Sequence, residues 1–377
     1  MGKSIKKNNI LIHAPNLETP GGKQTYYAAV KSYFQSDISF FFYGAQGKKE
    51  SKFRTLSRLF SDYRDFNKEV KSGKYDLVHL NPSLNLKSFF RDSIFAWLSR
   101  RAGVKTLVFW HGWNWDFEKK YVQKLQGFFR FFYGKTDAMM VLAKEFEAQL
   151  RAYGYQKPIH LETTVVDNTI FNLVEEKSIE YLPKKNESLV LLFLARLERV
   201  KGIYEAIDSF RKLKKKHPNI ILNVAGTGGA LDEAKAYVAA EQIEGINFLG
   251  WITGEQKAQA FLDAHIYILA SYHGEGMPIS LLEAMSTGKS VVTTDVGGIK
   301  DFFQDSKMGY FVKAKDTQDL EHQLDRLISN PALLKEFGQY NRAYAERRFT
   351  PQQVTPRIEE IYFQTINSKP LAVVKGV

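Results

Sequence analysis

The chain contains no cysteine, which excludes disulfide bridges, thiolate catalysis and cysteine-ligated zinc. It has no uninterrupted apolar run approaching the ~20 residues that span a bilayer. Its start, MGKSIKKNNILIHA, passes from basic residues straight into a short strand-like run, without the long apolar segment or cleavage site of a secretory signal. A cytoplasmic location is therefore expected. Ligands for a divalent ion are scarce as well: the nearest approach to an Asp-x-Asp pair is Asp116-Phe117-Glu118, and no histidine cluster accompanies it, so no metal site is expected. The fragment Thr287-Gly-Lys-Ser290 has the tail of a phosphate-binding loop. It carries Glu283 where that loop needs its first glycine, and it precedes a strand instead of following one, which excludes a nucleoside triphosphatase signature.

A length of 377 residues exceeds what one compact domain usually reaches, and a 44% hydrophobic composition with 25% charged residues fits two ordinary globular domains. The basic charge is lopsided. Between Met1 and Glu175 there are 27 Lys and Arg against 16 Asp and Glu, whereas beyond Glu175 the two signs nearly balance, 26 against 25. Such a front half attracts polyanions, either nucleic acid or an anionic membrane leaflet. Two of its stretches are both basic and apolar. Lys48 to Lys71 sets Phe53, Leu56, Leu59, Phe60, Tyr63 and Phe66 near one helical face, and Lys119 to Lys135 carries Phe128, Phe129, Phe131 and Phe132 beside Lys120, Lys124 and Arg130. Each is either a membrane-surface helix or a core stripe with a solvated back.

Short apolar runs alternate with helical patterns along the whole chain. Asn9 to Ala14, Ile38 to Tyr43, Asp76 to Leu80, Thr106 to Trp110 and Ala138 to Leu142 predict one parallel sheet wrapped by helices. Leu189 to Ala195, Asn219 to Ala225, Ile246 to Leu249, His265 to Ala270 and Ser290 to Thr294 predict a second. The intervening stretch from about Asn168 to Asn186 is polar and aperiodic and reads as a linker. This divides the chain into an N-terminal domain over 1–168, a linker over 169–186, a C-terminal domain over 187–349 and a terminal helical segment over 350–377. Ligands in such sheets bind beyond the carboxyl ends of the strands. Gly21 and Gly22 follow the first strand there, His111 and Gly112 follow the fourth, and Gly226 lies after the second strand of the second set.

The stretch SYHGEGMPISLLEAMSTGKSVVTTDVGGIKD, Ser271 to Asp301, is the densest in chemistry. Glu275 sits in a glycine-proline loop that opens a helix, and Glu283 follows about two turns later, so both carboxylates can face one ligand. Unpaired N–H groups from Gly276 to Ser280 at the helix entrance suit a phosphate, with hydroxyl-bearing groups for the acids to hold. Upstream, Arg196 and Lys201 bracket a strand-to-helix turn, where two fixed cations can neutralise a leaving diphosphate without metal.

The ordered run of a glycine-rich entry, E-x7-E, a small-residue helix, Gly288, a β-branched strand and Gly297-Gly298 resembles the donor-binding signature of retaining glycosyltransferases of the GT4 type. The resemblance implies an α/β protein of GT-B architecture, two Rossmann-like domains facing each other across a cleft, with a last helix crossing back onto the first domain. It also implies transfer of a sugar from a UDP- or GDP-linked donor, with no cofactor, to a glycan or lipid-linked acceptor in bacterial surface-polysaccharide assembly. Residue by residue, it implies Glu283 on the ribose and Glu275 with the backbone of Gly276, Met277, Pro278 and Ile279 on the sugar. Arg196 and Lys201 would hold the diphosphate, Gly21, Gly22 and Gly226 would face the donor, Trp251 and Ile252 would lie against the base, and His111 would contact the transferred sugar. Trp113 and Trp115 either stack on a sugar or pack against the sheet.

The sequence departs from the family pattern in places. Ala195 replaces the glycine common before the arginine, Met277 stands where Phe is frequent, and Thr163-Thr164-Val165-Val166-Asp167 replaces the usual Pro-Asn-Gly-Val-Asp. A sugar-nucleotide epimerase of the same architecture and a non-catalytic nucleotide- or glycan-binding protein are the competing readings. A nucleic-acid-binding protein would leave the second half without a purpose. The expected setting is cytoplasmic, peripheral on the inner face of the membrane.

Overall fold

The computed structural model describes residues 7–19, 21–44, 51–177 and 179–368. Residues 48–50 of the first basic stretch and 369–377 of the terminal segment lie outside them. The chain divides into two compact units: Met1–Thr163 with Pro351–Val377, and Thr164–Thr350.

The first unit is a parallel sheet of six strands, β1 (Asn9–Pro15), β2 (Asp37–Tyr43), β3 (Leu77–Leu80), β4 (Lys105–Trp110), β5 (Ala138–Val141) and β6 (Ile159–Leu161), in the order β2-β1-β3-β4-β5-β6. β3 and β5 are buried at every position, as expected of strands covered by helices on both faces. The chain runs outward from β1 to β2 and then returns to the other side of β1 to form β3. The reversal opens a crevice at the carboxyl ends of β1 and β3. The helix Pro351–Asn367 packs on this unit. Tyr362 is buried within it, and Glu359 accepts hydrogen bonds from the backbone N–H groups of Gln35 and Ser36 at 2.8 and 2.7 Å.

The second unit repeats the design with β7 (Leu189–Leu194), β8 (Ile220–Ala225), β9 (Ile246–Gly250), β10 (Ile266–Leu269), β11 (Ser290–Thr294) and β12 (Gly309–Val312), in the order β12-β11-β10-β7-β8-β9. Here the reversal falls between β7 and β10, which pair through Ile266 with Leu191 and Ile268 with Phe193. Both units are Rossmann-like.

Three expectations need correction. The segment read as a linker contains a helix, Asn168–Lys177, inside the second unit, where Arg342 stacks over Phe171 at 4.8 Å and bonds to Ser286 O at 2.7 Å. Its buried side chains, Ile170 and Phe171, are covered by neighbours far away in sequence, which no local pattern reveals. The stretch Lys119 to Lys135 is not one helix; a wide π-helical turn over Glu118–Val122 precedes a helix over Gln126–Phe132, which buries Phe129 and exposes Phe131. In the helix Lys52–Val70 the aromatic stripe divides, with Phe66 buried while Phe53, Leu56 and Phe60 are exposed at 82, 67 and 76%.

Candidate active site

In the second unit the loops leaving β7 and β10 meet at the strand-order reversal. The Glu275 carboxylate, in the loop after β10, accepts a hydrogen bond from Ser271 Oγ at 2.7 Å and pairs with the Lys201 ammonium from the turn after β7. Its second oxygen, Oε2, bonds to nothing among the described residues and is left to accept from a ligand. Two glycines make this approach possible. Gly202 has φ +82°, and a Cβ there would lie 2.2 Å from Ala270 O, so a side chain would push the Lys201 turn away from the end of β10. Gly297 has φ +57°, a Cβ there would lie 1.7 Å from Glu275 O, and the next residue, Gly298, donates its N–H to that same oxygen at 2.9 Å. The backbone of Glu275 is thus held by the Gly297-Gly298 turn and its side chain by Ser271 and Lys201.

The helix Ile279–Ser286 starts immediately beyond, with Pro278 at the cap instead of inside the first turn. Its entrance carries no side-chain cap, so the partial positive charge of its first N–H groups faces outward near Glu275. Buried Tyr267 of β10 anchors the entrance by bonding to Ser280 Oγ at 2.7 Å and Leu194 O at 3.0 Å, tying the helix start to the end of β7. Glu283 does not share the Lys201 cluster. It is 3% exposed and pairs with Lys257, from the helix Gly254–Asp263, at 2.5 Å. Burial raises its pKa, and the Lys257 charge opposes that shift.

The remaining candidates are distributed around these carboxylates. Arg196 is exposed and forms no ion pair among the described residues, so its charge is available to an anion. Gly226, after β8, donates its N–H to Gly250 O at 2.7 Å, linking it to the loop that carries Trp251 and Ile252. Trp251 is 67% exposed, whereas Ile252 is half-buried. Met277 is buried beside the half-buried Gly276 and Pro278. Reading from the sequence missed Ser271, Lys257 and Tyr267. A serine, a surface lysine and a strand tyrosine carry no motif, and only the packing of distant segments brings them to the two acids.

In the first unit, Gly21 and Gly22 are exposed at the entrance to the helix Gly22–Val30. His111 lies directly after β4. Its ring packs against Phe109 at 3.9 Å and Tyr26 at 5.3 Å between centroids, and its Nε2 lies 2.8 Å from Asn81 Oδ1. Burial, followed by the charges of Lys23 and His79, holds its pKa well below the ordinary histidine value, so the ring is neutral. Trp113 is a packing residue, buried and stacked on Phe146 at 4.6 Å, while Trp115 is half-buried against both. Asp116 is exposed and Glu118 is buried against Tyr153, so these two acids do not share a face.

Two doubly wound units with a polar cluster at each strand-order reversal define a class by fold. The chain superposes on a glycosyltransferase from Rickettsia africae with a TM-score of 0.76 at 15% identity, over 96% of this chain and 100% of that one. It superposes on a sucrose-phosphate synthase from Thermosynechococcus elongatus with a TM-score of 0.74 at 15% identity, over 95% and 99%. The fold is therefore that of the GT-B glycosyltransferases. Residues 174–344, within the second unit, match the family described as glycosyl transferases group 1, and that segment is a domain of this family. A capsular polysaccharide biosynthesis glycosyltransferase of Staphylococcus aureus is 26% identical over 224 residues, 59% of this chain and 56% of the relative. An uncharacterised glycosyltransferase of Methanocaldococcus jannaschii is 28% identical over 199 residues, 52% of this chain and 50% of the relative. The chain thus spans about half the length of these curated relatives.

Proposed function

We propose that the chain is a retaining glycosyltransferase that moves a hexosyl unit from a UDP- or GDP-linked donor to a glycan or lipid-linked acceptor. The observation that carries this reading is the Glu275 carboxylate, fixed by Ser271 and Lys201 at the β7/β10 reversal in front of an uncapped helix entrance. A carboxylate with a free oxygen beside a positive helix end suits a sugar joined to phosphate. Glu275 and the backbone of Gly276 to Ile279 take the sugar hydroxyls, Glu283 takes the ribose, and Arg196 and Lys201 take the diphosphate. Gly226, Trp251 and Ile252 lie toward the base, and Gly21, Gly22 and His111 contribute from the first unit. The leaving phosphate assists the acceptor hydroxyl on the same face, and protein cations replace a metal ion. The setting is bacterial surface-polysaccharide assembly on the cytoplasmic side, supported by relatives named for capsular polysaccharide and colanic acid biosynthesis. A panel of nucleotide sugars tested for thermal stabilisation checks the reading, because a ligand of the folded state raises its stability. At a hundredfold excess over Kd, one UDP- or GDP-sugar is expected to add about 2.7 kcal/mol. No stabilisation by any member would overturn the reading.

The helix Lys52–Val70 favours peripheral membrane attachment. Phe53, Leu56 and Phe60 lie exposed on one face, and Arg54, Arg64 and Lys68 are exposed on the same helix. The attachment proposed is interfacial, through that exposed apolar face; among the described residues no helix is long and apolar enough to cross a membrane. Sedimentation with acidic vesicles should be strong at low salt and fade as ionic strength rises. Equal binding to neutral vesicles would count against it.

A further inference from the structure

We infer that Asn81 is a positioning residue for His111: it holds the imidazole as the Nε2–H tautomer and leaves Nδ1 as an acceptor for a ligand hydroxyl. The inference rests on the transfer reaction proposed above for what His111 meets, but on this structure alone for the tautomer.

The Asn81 side-chain amide can be oriented in only one way. Asn81 follows β3 at the strand-order reversal of the first unit and is completely buried. One end of its side chain faces two backbone carbonyls, His13 O at 3.0 Å and His79 O at 3.5 Å, so that end must be the donating NH2 group. The other end is therefore the oxygen. It accepts from Tyr27 OH at 2.6 Å and lies 2.8 Å from His111 Nε2, and two acceptors cannot share that contact, so Nε2 carries the proton.

The chain of bonds behind Tyr27 runs the same way. Tyr27 OH, with its O–H donated to Asn81 Oδ1, accepts from His79 Nε2 at 3.4 Å, which leaves His79 Nδ1 to accept from Tyr362 OH at 2.7 Å. The Lys23 ammonium bonds to the backbone oxygen of Asn81, fixing the same residue from the other side. The groups facing His111 are Lys23, Tyr26 and Tyr27 from the helix Gly22–Val30, His79 from β3 and Phe109 from β4. None of them is an anion that would favour a second proton on the ring. Nδ1 has no partner among the described residues, so His111 meets a ligand as a neutral hydrogen-bond acceptor.

The test is 15N NMR of the full chain labelled at histidine, with the His111 signals identified by their loss in His111→Gln. The expected wild-type spectrum shows Nε2 protonated and Nδ1 bare from pH 6 to 8. A proton on Nδ1 would overturn the inference without any variant having to fold. Asn81→Leu removes the acceptor, so the Nδ1–H form should appear, and kcat should fall about tenfold or more with the donor KM little changed. An unchanged tautomer in this variant would also overturn the inference. Asn81→Asp keeps an acceptor in place. It should retain Nε2–H and recover turnover at alkaline pH, with kcat falling toward acid as the new carboxylate draws a second proton onto the ring. If the wild type turns over no nucleotide sugar, the transfer reading fails while the spectra still decide the role of Asn81.

Discussion

Lys257→Met keeps the apolar stem of the lysine and removes its charge, leaving the Glu283 carboxylate 3% exposed with no cation at 2.5 Å. Breaking a buried pair by deleting one partner costs about 3–5 kcal/mol. The Lys257 side chain is 26% exposed, so water reaches one end of the pair, and the lower end of that range, about 3 kcal/mol, applies at neutral pH and above. The sign of the pH dependence follows from the direction of the Glu283 shift. Burial raises the folded pKa above the unfolded carboxyl value, so the folded state takes up its proton first as pH falls. The destabilisation is complete above the folded pKa and relieved as pH drops through it. Without Lys257 that pKa climbs further and the relief begins at higher pH. Urea unfolding of wild type and variant should thus show the larger deficit near pH 8 and a smaller one near pH 5. Adding Glu283→Gln should recover much of the loss, because no charge is then left buried. A deficit below about 1 kcal/mol at pH 8, or one equal at both pH values, would refute the reasoning.

Glu275→Gln nearly preserves shape but weakens an acceptor held by Ser271 and Lys201, and turnover should fall by the equivalent of about 1.5–3 kcal/mol; wild-type rates with the correct donor would remove Glu275 from the reaction. Arg196→Ala and Lys201→Ala should each fold and lose most turnover, less than additively in the double variant because both cations act on one leaving group, and transfer should survive excess chelator. Activity abolished by chelator and restored by magnesium or manganese would contradict protein cations as the neutralising charge. Lys289 is buried on Leu262 O at 3.0 Å, and burial lowers its pKa to about 7. The unfolded chain therefore binds a proton that the folded state lacks from about pH 7 to the ordinary lysine range, and wild type should gain stability over Lys289→Met across that window, by at most about 1.4 kcal/mol per pH unit. A difference that does not change from pH 7 to 10 in denaturant titrations would exclude this.

Much of the architecture was legible because parallel strands covered on both faces are largely apolar, and runs such as Leu189–Leu194 and Ile266–Leu269 announce themselves without any partner in view. β6 and β12 escaped notice. β6 has only three residues, none of them buried, and β12 spans four residues beginning with a glycine, so neither presents a long β-branched run. The helix Asn168–Lys177 was hidden for a related reason, since its stability comes from Arg342 and the helices it packs on and not from its own pattern.

The candidate site divides along the same line. Glu275, Glu283, Arg196, Lys201 and His111 could be singled out from the chain alone because their ordered run resembles a known signature, and all but Glu283 also stand at glycine turns or strand ends, which are local in sequence and mark where a backbone opens toward a ligand. Which groups touch was decided only by the tertiary structure. Lys201 meets Glu275 across 74 residues, Lys257 meets Glu283 across 26, and Asn81 meets His111 across 30. A carboxylate's charge state and a histidine's tautomer are set by whatever stands within a hydrogen bond of them and by how much water remains, and both depend on strand order and not on spacing along the chain.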